Sequence, residues 1–281
     1  MKLMIGILLL GFSFSAIAQE KIVSVGGNVT EIIYKLGKQE LLVGTDTTSN
    51  FPSAATQTPK VGYSRALSAE GVLSLEPSVL FLTKEAGPAQ VLKQLENARV
   101  NIQTLPTDFT VEGVVAKVNA IAKYLDVEPE GERLVTEILS DVSRAQEVIE
   151  RHKTERPKIL FILSQDSGNM LVSGQETQAD GMIKLVGGVN PMTQFKSYKP
   201  LTPEQITEVM PEVIIMMARH DDNGKQALLK RLQEHPVLKL TPAVKNNKVI
   251  TMNGSYLLGY GPRIGLALQE LAEQVYDSQS R

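Results

Sequence analysis

LSAEGVLSLEPSVLFL (Leu67–Leu82) aligns without gaps on LTPEQITEVMPEVIIM (Leu201–Met216), 134 residues further along the chain. Each copy predicts a short amphipathic helix that leads into a buried strand. The repeat predicts a duplicated architecture with one copy in each half of the chain. Four pairs are identical: Leu67/Leu201, Glu70/Glu204, Pro77/Pro211 and Val79/Val213.

The segments around the two copies alternate between short apolar strands and amphipathic helices. The first pair is a strand at Lys21–Val25 and a helix at Glu31–Leu36, for which Thr30 is the expected N-cap. Alternation at this spacing predicts mostly parallel sheets. Asn253–Pro262 is rich in glycine and aromatic residues and is expected to be a loop. Ligands of such sheets bind beyond the carboxyl ends of the strands.

Pro129 to Lys153 separates the copies and contains many helix-forming residues with one apolar stripe. We interpret it as a rigid connector helix between two lobes; an ordinary helix of either lobe is the alternative. The expected fold is α/β, with two Rossmann-like lobes of mostly parallel sheets, one long backbone helix and a ligand cleft between the lobes. The expected divisions are a signal peptide (1–18), an N-terminal lobe (19–127), a connector (128–153) and a C-terminal lobe (154–281).

The first 18 residues have the pattern of a secretory signal peptide. Lys2 precedes an apolar core at Leu3–Phe12, and Ala16-Ile17-Ala18 supplies small residues for cleavage. The chain has no cysteine, which excludes thiolate metal sites, disulfides and lipid anchoring through cysteine. A formal net charge of −2 gives no support for nucleic-acid binding. We therefore expect an exported, periplasmic protein.

Tyr63 and Arg65 stand two residues apart just before the first copy, and this Tyr-x-Arg pattern does not recur in the second. A single feature on a duplicated scaffold is what a ligand site should look like. A tyrosine phenolate is a hard anionic donor that suits ferric iron, and a nearby guanidinium can hydrogen-bond it. The spacing alone is weak, because a surface tyrosine packed on a loop gives the same pattern.

GYSRALSAEGVLSLEPS (Gly62–Ser78) and LLGYGPR (Leu257–Arg263) carry a family resemblance. The chain resembles the haem-binding proteins of bacterial ABC importers, within the group that also carries cobalamin and siderophores. The resemblance implies capture of ferric haem in the periplasm and delivery to an inner-membrane ABC permease and its ATPase. An outer-membrane haem receptor system upstream is a further implied partner.

Two alternatives remain open. The same scaffold could carry a ferric siderophore or cobalamin. A periplasmic enzyme with its active site between two lobes is the alternative of another class. It is disfavoured because the sequence contains no G-x-S-x-G, no H-E-x-x-H, no phosphate loop and no cysteine nucleophile.

The resemblance implies that Tyr63 is the axial ligand of haem iron and that Arg65 hydrogen-bonds the phenolate or a propionate. The family often has a histidine after the first strand of the second lobe, where this chain has Ser164-Gln165-Asp166. This departure counts against a two-ligand or stacked two-haem site, and Gln165 becomes a candidate ligand contact.

Further candidates come from the second half of the chain. Arg219 is either a propionate partner or an exposed arginine, and His220 could reach the cleft as a ligand because it follows a strand. Tyr256 and Tyr260 either stack on the porphyrin or anchor their loop. Glu70 and Glu204 occupy the same repeat position near helix N-termini, a placement that is favourable by itself. The resemblance implies that they dock arginines of the two permease subunits.

Overall fold

The computed structural model describes residues 20–164, 170–218 and 229–276, which form two lobes with a sheet in each. Strands of the first lobe are β1 (Ile22–Ser24), β2 (Leu42–Thr45), β3 (Gly62–Tyr63), β4 (Ala66–Leu67), β5 (Val79–Thr83) and β6 (Ile102–Leu105). Its helices are α1 (Gly27–Lys35), α2 (Ala69–Leu73), α3 (Ala89–Asn97) and α4 (Val111–Tyr124).

A long helix, α5 (Glu128–Arg151), leads into the second lobe. The strands that follow are β7 (Ile159–Ser164), β8 (Met170–Ser173), β9 (Tyr198–Pro200), β10 (Val213–Ala218) and β11 (Val249–Asn253). The helices that follow are α6 (Gln178–Leu185), α7 (Pro203–Val209), α8 (described over residues 229–234), α9 (Pro242–Lys245), α10 (Gly254–Leu257) and α11 (Ile264–Tyr276).

The first sheet has the order β2-β1-β5-β6 and is parallel throughout. The second has the order β11-β10-β7-β8-β9, in which β11, β10 and β7 are parallel. Strands β8 and β9 pair antiparallel and were not anticipated, because each is short and lacks a clear alternating pattern. The expectation of mostly parallel sheets is confirmed.

The internal repeat extends to the backbone. Helices α2 and α7 begin at Ala69 and Pro203, and strands β5 and β10 begin at Val79 and Val213, so each pair keeps the offset of the alignment. Both helices have a hydroxyl N-cap, and both are followed by a left-handed residue before the repeated proline. These residues are Ser68 and Thr202 at the caps, and Glu76 and Met210 at the left-handed positions.

Helix α5 packs against α4 of the first lobe and α11 of the second. Its buried apolar stripe includes Leu134, Ile138 and Val142, whereas Leu139 of the same helix is 47% exposed. Gly265 of α11 lies so close to Asp141 of α5 that a β-carbon would collide there. No helix in the described part of the chain is both long and apolar enough to cross a membrane.

Two boundaries differ from the sequence-based expectations. Helix α1 begins at Gly27, not Glu31, because Gly26 at φ 113° starts it. Thr30 is therefore no cap; it is buried and hydrogen-bonds Ser24 at 2.6 Å. The segment expected to be a loop from Asn253 contains α10, which the Asn253 side chain caps.

Candidate functional site

A cleft of about 240 Å³ lies between the lobes and is lined by residues of both. In the first lobe, residues that follow β1, β2, β5 and β6 line it, as expected at the carboxyl edge of a parallel sheet. In the second lobe, the segment after β11 does so. Charged residues of the described lining are Glu31, Arg65, Glu85, Lys117 and Arg263.

Tyr63 stands at the end of β3 in a tight hairpin; it is one of the residues that line the cleft, and it is 47% exposed. β3 and β4 pair Gly62 with Leu67 and Tyr63 with Ala66, so Ser64 and Arg65 form the turn. Gly62 has φ +107°, and a β-carbon there would lie 2.8 Å from the Ala66 carbonyl oxygen. Glycine is therefore needed immediately before the tyrosine.

Backbone hydrogen bonds fix this hairpin to the rest of the lobe. The N–H of Thr47 donates to the carbonyl of Gly62, and the N–H of Gly87 donates to the carbonyl of Ser64, each at 2.9 Å. Because loops from two other strands hold the hairpin, the phenol is presented on a fixed backbone. Arg65 is exposed and lines the same cleft.

Asp46, which follows β2, organises the loop beside the cleft. Its carboxylate is fully buried and accepts hydrogen bonds from the Gly26 N–H (3.0 Å), the Thr48 N–H (3.1 Å), the Thr48 hydroxyl (2.6 Å) and the Ser49 hydroxyl (2.7 Å). The Thr48 hydroxyl accepts in turn from the Gly27 N–H at 3.1 Å. The N–H groups of Gly26 and Gly27, at the start of α1, are thus already satisfied within the protein.

One short segment of the second lobe, residues 259–263, is attached to the first lobe at three points. The Asn28 amide donates to the Gly259 carbonyl at 2.8 Å, and the Lys117 ammonium donates to the Tyr260 carbonyl at 3.1 Å. Arg263 forms the third attachment as a bidentate ion pair with Glu31. This segment forms the floor of the cleft and ties the two lobes together there.

The guanidinium of Arg263 is fixed on several sides. Its Nε and Nη2 donate to the Glu31 carboxylate at 2.8 and 3.0 Å, and the side chain of Glu31 is only 7% exposed. The Phe51 ring lies 3.6 Å from its central carbon, and the Tyr256 ring lies 5.2 Å away. These distances are those of cation–π contacts, so both charge and ring stacking hold the guanidinium.

Lys117 of α4 is 2% exposed and lines the cleft floor. Burial lowers the pKa of Lys117 to about 8, and the negative charge of Glu85 offsets part of that effect. At neutral pH the ammonium is therefore still charged. A charged amine that is almost completely withdrawn from water is costly unless something pairs with it.

Tyr260 has the contacts of a loop anchor and also lines the cleft, so its stacking on the porphyrin stays a prediction. It is 3% exposed, its hydroxyl donates to the Gln178 carbonyl at 2.9 Å, and its ring lies 5.3 Å from that of Phe109. Burial raises the pKa of Tyr260, so the hydroxyl stays a protonated donor. Tyr256 is half-buried beside Arg263 and is absent from the described cleft lining, so porphyrin stacking by Tyr256 stays a prediction.

The other candidates separate into two groups. Gln165, Arg219 and His220 lie outside the described residues; they come directly after β7 and β10. Glu70 and Glu204 are exposed in the first turns of α2 and α7. Docking by these two glutamates stays a prediction, as do the predicted lobe boundaries, although α5 lies within the predicted connector.

Sequence reasoning missed Glu31, Asp46, Lys117 and Arg263 as site residues. Two of them have a detectable pattern. Lys117 is a lysine between Val114 and Ile121 on the apolar stripe of its helix, and Asp46 follows a strand and precedes three hydroxyl residues. No local sequence pattern could have revealed the Glu31–Arg263 pair, because the two residues are 232 positions apart.

Two α/β lobes that enclose a lined cleft define the class of two-lobed ligand-binding proteins. The chain belongs to the periplasmic binding protein family, whose model matches residues 22–256. Among solved structures it is similar to the periplasmic heme-binding protein BhuT in complex with two hemes: 34% identity, TM-score 0.83, 92% of this chain and 98% of that chain.

Two further relatives differ in what their names say they bind. The periplasmic heme-binding protein RhuT from Roseiflexus sp. RS-1 is 33% identical, with a TM-score of 0.84, and the match covers 93% of this chain and 99% of that chain. The vitamin B12-binding protein of Pectobacterium atrosepticum is 25% identical over 258 residues, which cover 91% of this chain and 88% of the relative.

Proposed function

We propose that this protein captures ferric haem in the periplasm and delivers it to an inner-membrane ABC permease. Its role is binding and release, with no chemical reaction. The observation that carries the proposal is the exposed phenol of Tyr63, held on a fixed hairpin at the edge of a cleft and followed by Arg65. The likeness to heme-binding proteins of known structure supports the same ligand.

Tyr63 would supply the axial oxygen for the iron of the bound haem. A phenolate suits ferric iron, and a guanidinium that lies close to it stabilises the charged oxygen. Ligand pockets commonly measure about 300–1,000 Å³. The cleft, at about 240 Å³, is smaller than this range. A bound macrocycle would therefore extend out of the cleft into solvent, or the two lobes would move apart to admit it.

Cobalamin is the second candidate, because a relative of similar length is named for it. The described lining favours haem. The positively charged side chains of Arg65 and Lys117 suit a ligand with carboxylates, whereas the side chains on the corrin ring of cobalamin end in amides.

Delivery requires a permease partner, as the family implies. Glu70 and Glu204 are exposed at equivalent repeat positions, one on each lobe, so they offer a matched pair of negative charges to a two-subunit permease. We take them as the docking residues.

The experiment is an absorption titration of the mature protein with ferric haem and, separately, with cyanocobalamin. We expect saturable haem binding with a tyrosinate-type spectrum. Tyr63→Phe keeps the ring but removes the oxygen and should abolish that spectrum. Tyr34→Phe is the matched control, because Tyr34 is a half-buried residue of α1 outside the described cleft lining. It should keep the spectrum.

Two results would contradict the proposal. One is saturable binding of cyanocobalamin without binding of haem. The other is an unchanged haem spectrum in Tyr63→Phe, which would exclude the phenol oxygen as the iron ligand.

A further inference from the structure

The cleft floor contains a cation that the proposed haem ligation by Tyr63 does not use. Lys117 is 2% exposed, lines the cleft, and has one hydrogen-bond acceptor among the described residues, the Tyr260 carbonyl at 3.1 Å. An ammonium carries three N–H donors, so two remain for another group. No carboxylate of the described residues forms an ion pair with it.

Arg263 and the N–H groups of Gly26 and Gly27, near the floor, already have acceptors within the protein. Arg263 donates through two nitrogens to the Glu31 carboxylate. At the start of α1, the Gly26 N–H donates to Asp46 and the Gly27 N–H donates to Thr48. An anion that enters the floor of the cleft therefore meets the ammonium of Lys117, which forms no ion pair with a described carboxylate, although the negative charge of Glu85 in the same lining acts on it.

Arg65 also lines the cleft, but it is exposed in the hairpin turn, where water screens its charge. A charge-assisted hydrogen bond to Lys117 forms where water is largely excluded and is correspondingly stronger. Pairing would also relieve the cost of burying the ammonium.

We propose that Lys117 binds a carboxylate of the ligand at the cleft floor, so that at least one acidic side chain of the macrocycle enters the cleft first. This rests on the proposed function, because it takes haem as the ligand. It assigns Lys117 the role of selecting an acidic macrocycle over a neutral one, while Tyr63 contacts the metal.

The test compares ferric haem, which has two carboxylates, with its dimethyl ester, which has none. The ester cannot form the charged hydrogen bond to Lys117. We therefore expect the unchanged protein to bind haem about tenfold or more tightly than the ester. Lys117→Met should reduce that preference by about tenfold and keep the tyrosinate-type spectrum. Lys123→Met, on the exposed side of the same helix, is the matched control and should keep the full preference.

Lys117→Gln is the second variant, because its amide can still donate to the Tyr260 carbonyl without carrying a charge. It should also lose the preference, so the test stands even if the methionine variant does not fold. A loss that is equal for haem and ester would mean a structural role and would overturn the inference. So would an unchanged preference in both variants.

These outcomes separate the inference from the function on which it rests. Haem binding by the unchanged protein, with the preference retained in the Lys117 variants, overturns the inference alone. If the unchanged protein binds neither porphyrin, the proposed function and the inference both fail.

Discussion

Arg263, the residue immediately before α11, and Glu31 of α1 form a bidentate ion pair across the two lobes, with nitrogen–oxygen distances of 2.8 and 3.0 Å. The glutamate side chain is 7% exposed and that of the arginine 22%. Arg263 is the last residue of the segment that forms the cleft floor. It therefore contributes both to the attachment of the lobes and to the shape of the site.

Arg263→Ala should lower the free energy of unfolding by about 3–5 kcal/mol, because it leaves a buried carboxylate without a partner. Urea unfolding measures the change. Arg133→Ala is the control; it breaks an exposed pair with Glu130, so its cost should be far smaller than that of Arg263→Ala. If the two variants lost equal free energy of unfolding, burial of the Glu31 carboxylate would not make stability more dependent on its ion pair with Arg263.

Asp46→Ala should lower the free energy of unfolding by at least about 2 kcal/mol, because several donors of the loop and of α1 lose their buried acceptor. It should also weaken haem binding, since Thr48 lines the cleft. Thr48→Val removes one hydroxyl and should have an intermediate effect in the same two assays. A stable Asp46→Ala protein with unchanged haem affinity would contradict this role.

Lys117 should make stability depend on pH in the alkaline range. Its pKa is lowered to about 8 in the folded protein, against 10.5 for an ordinary lysine. Below pH 8 both states hold the proton, and the cost of burying the charge is fully present. Between pH 8 and 10.5 the unfolded state binds more protons, so stability rises with pH.

The measurement is urea unfolding of the unchanged protein and of Lys117→Met at several pH values. The difference in unfolding free energy between them should be constant below pH 8. Above pH 8 it should change in favour of the unchanged protein by at most about 1.4 kcal/mol per pH unit. A difference that is flat from pH 7 to 10.5 would mean that the lysine is solvated in the folded state.

Glu70→Ala combined with Glu204→Ala should stop haem uptake through the permease and leave haem affinity unchanged, because both side chains are exposed on the surface. Uptake into cells or permease vesicles and a haem titration measure the two effects. Glu96→Ala with Glu147→Ala is the control, since it removes two other exposed charges. Normal uptake by the Glu70/Glu204 variant would exclude docking through these residues.

The repeat determined much of the architecture from sequence alone. The two copies share a local pattern because each forms a capped helix, a left-handed turn and a buried strand. In the first lobe, Ser68 caps the helix and Glu76 is the left-handed residue. These features depend on neighbours along the chain, so the chain itself reports them. The sequence shows that a glycine precedes Tyr63, but the hairpin that requires glycine there was found only in the structure.

The cleft floor was decided only by tertiary structure. Lys117, Tyr260 and the Glu31–Arg263 pair come together because two lobes close on each other, and residues far apart in sequence then share one low-dielectric space. The hydrogen bond from the buried Tyr260 hydroxyl to the Gln178 carbonyl likewise came only from the structure. Burial and charge pairing depend on what lies across the cleft, and a linear pattern does not contain that information.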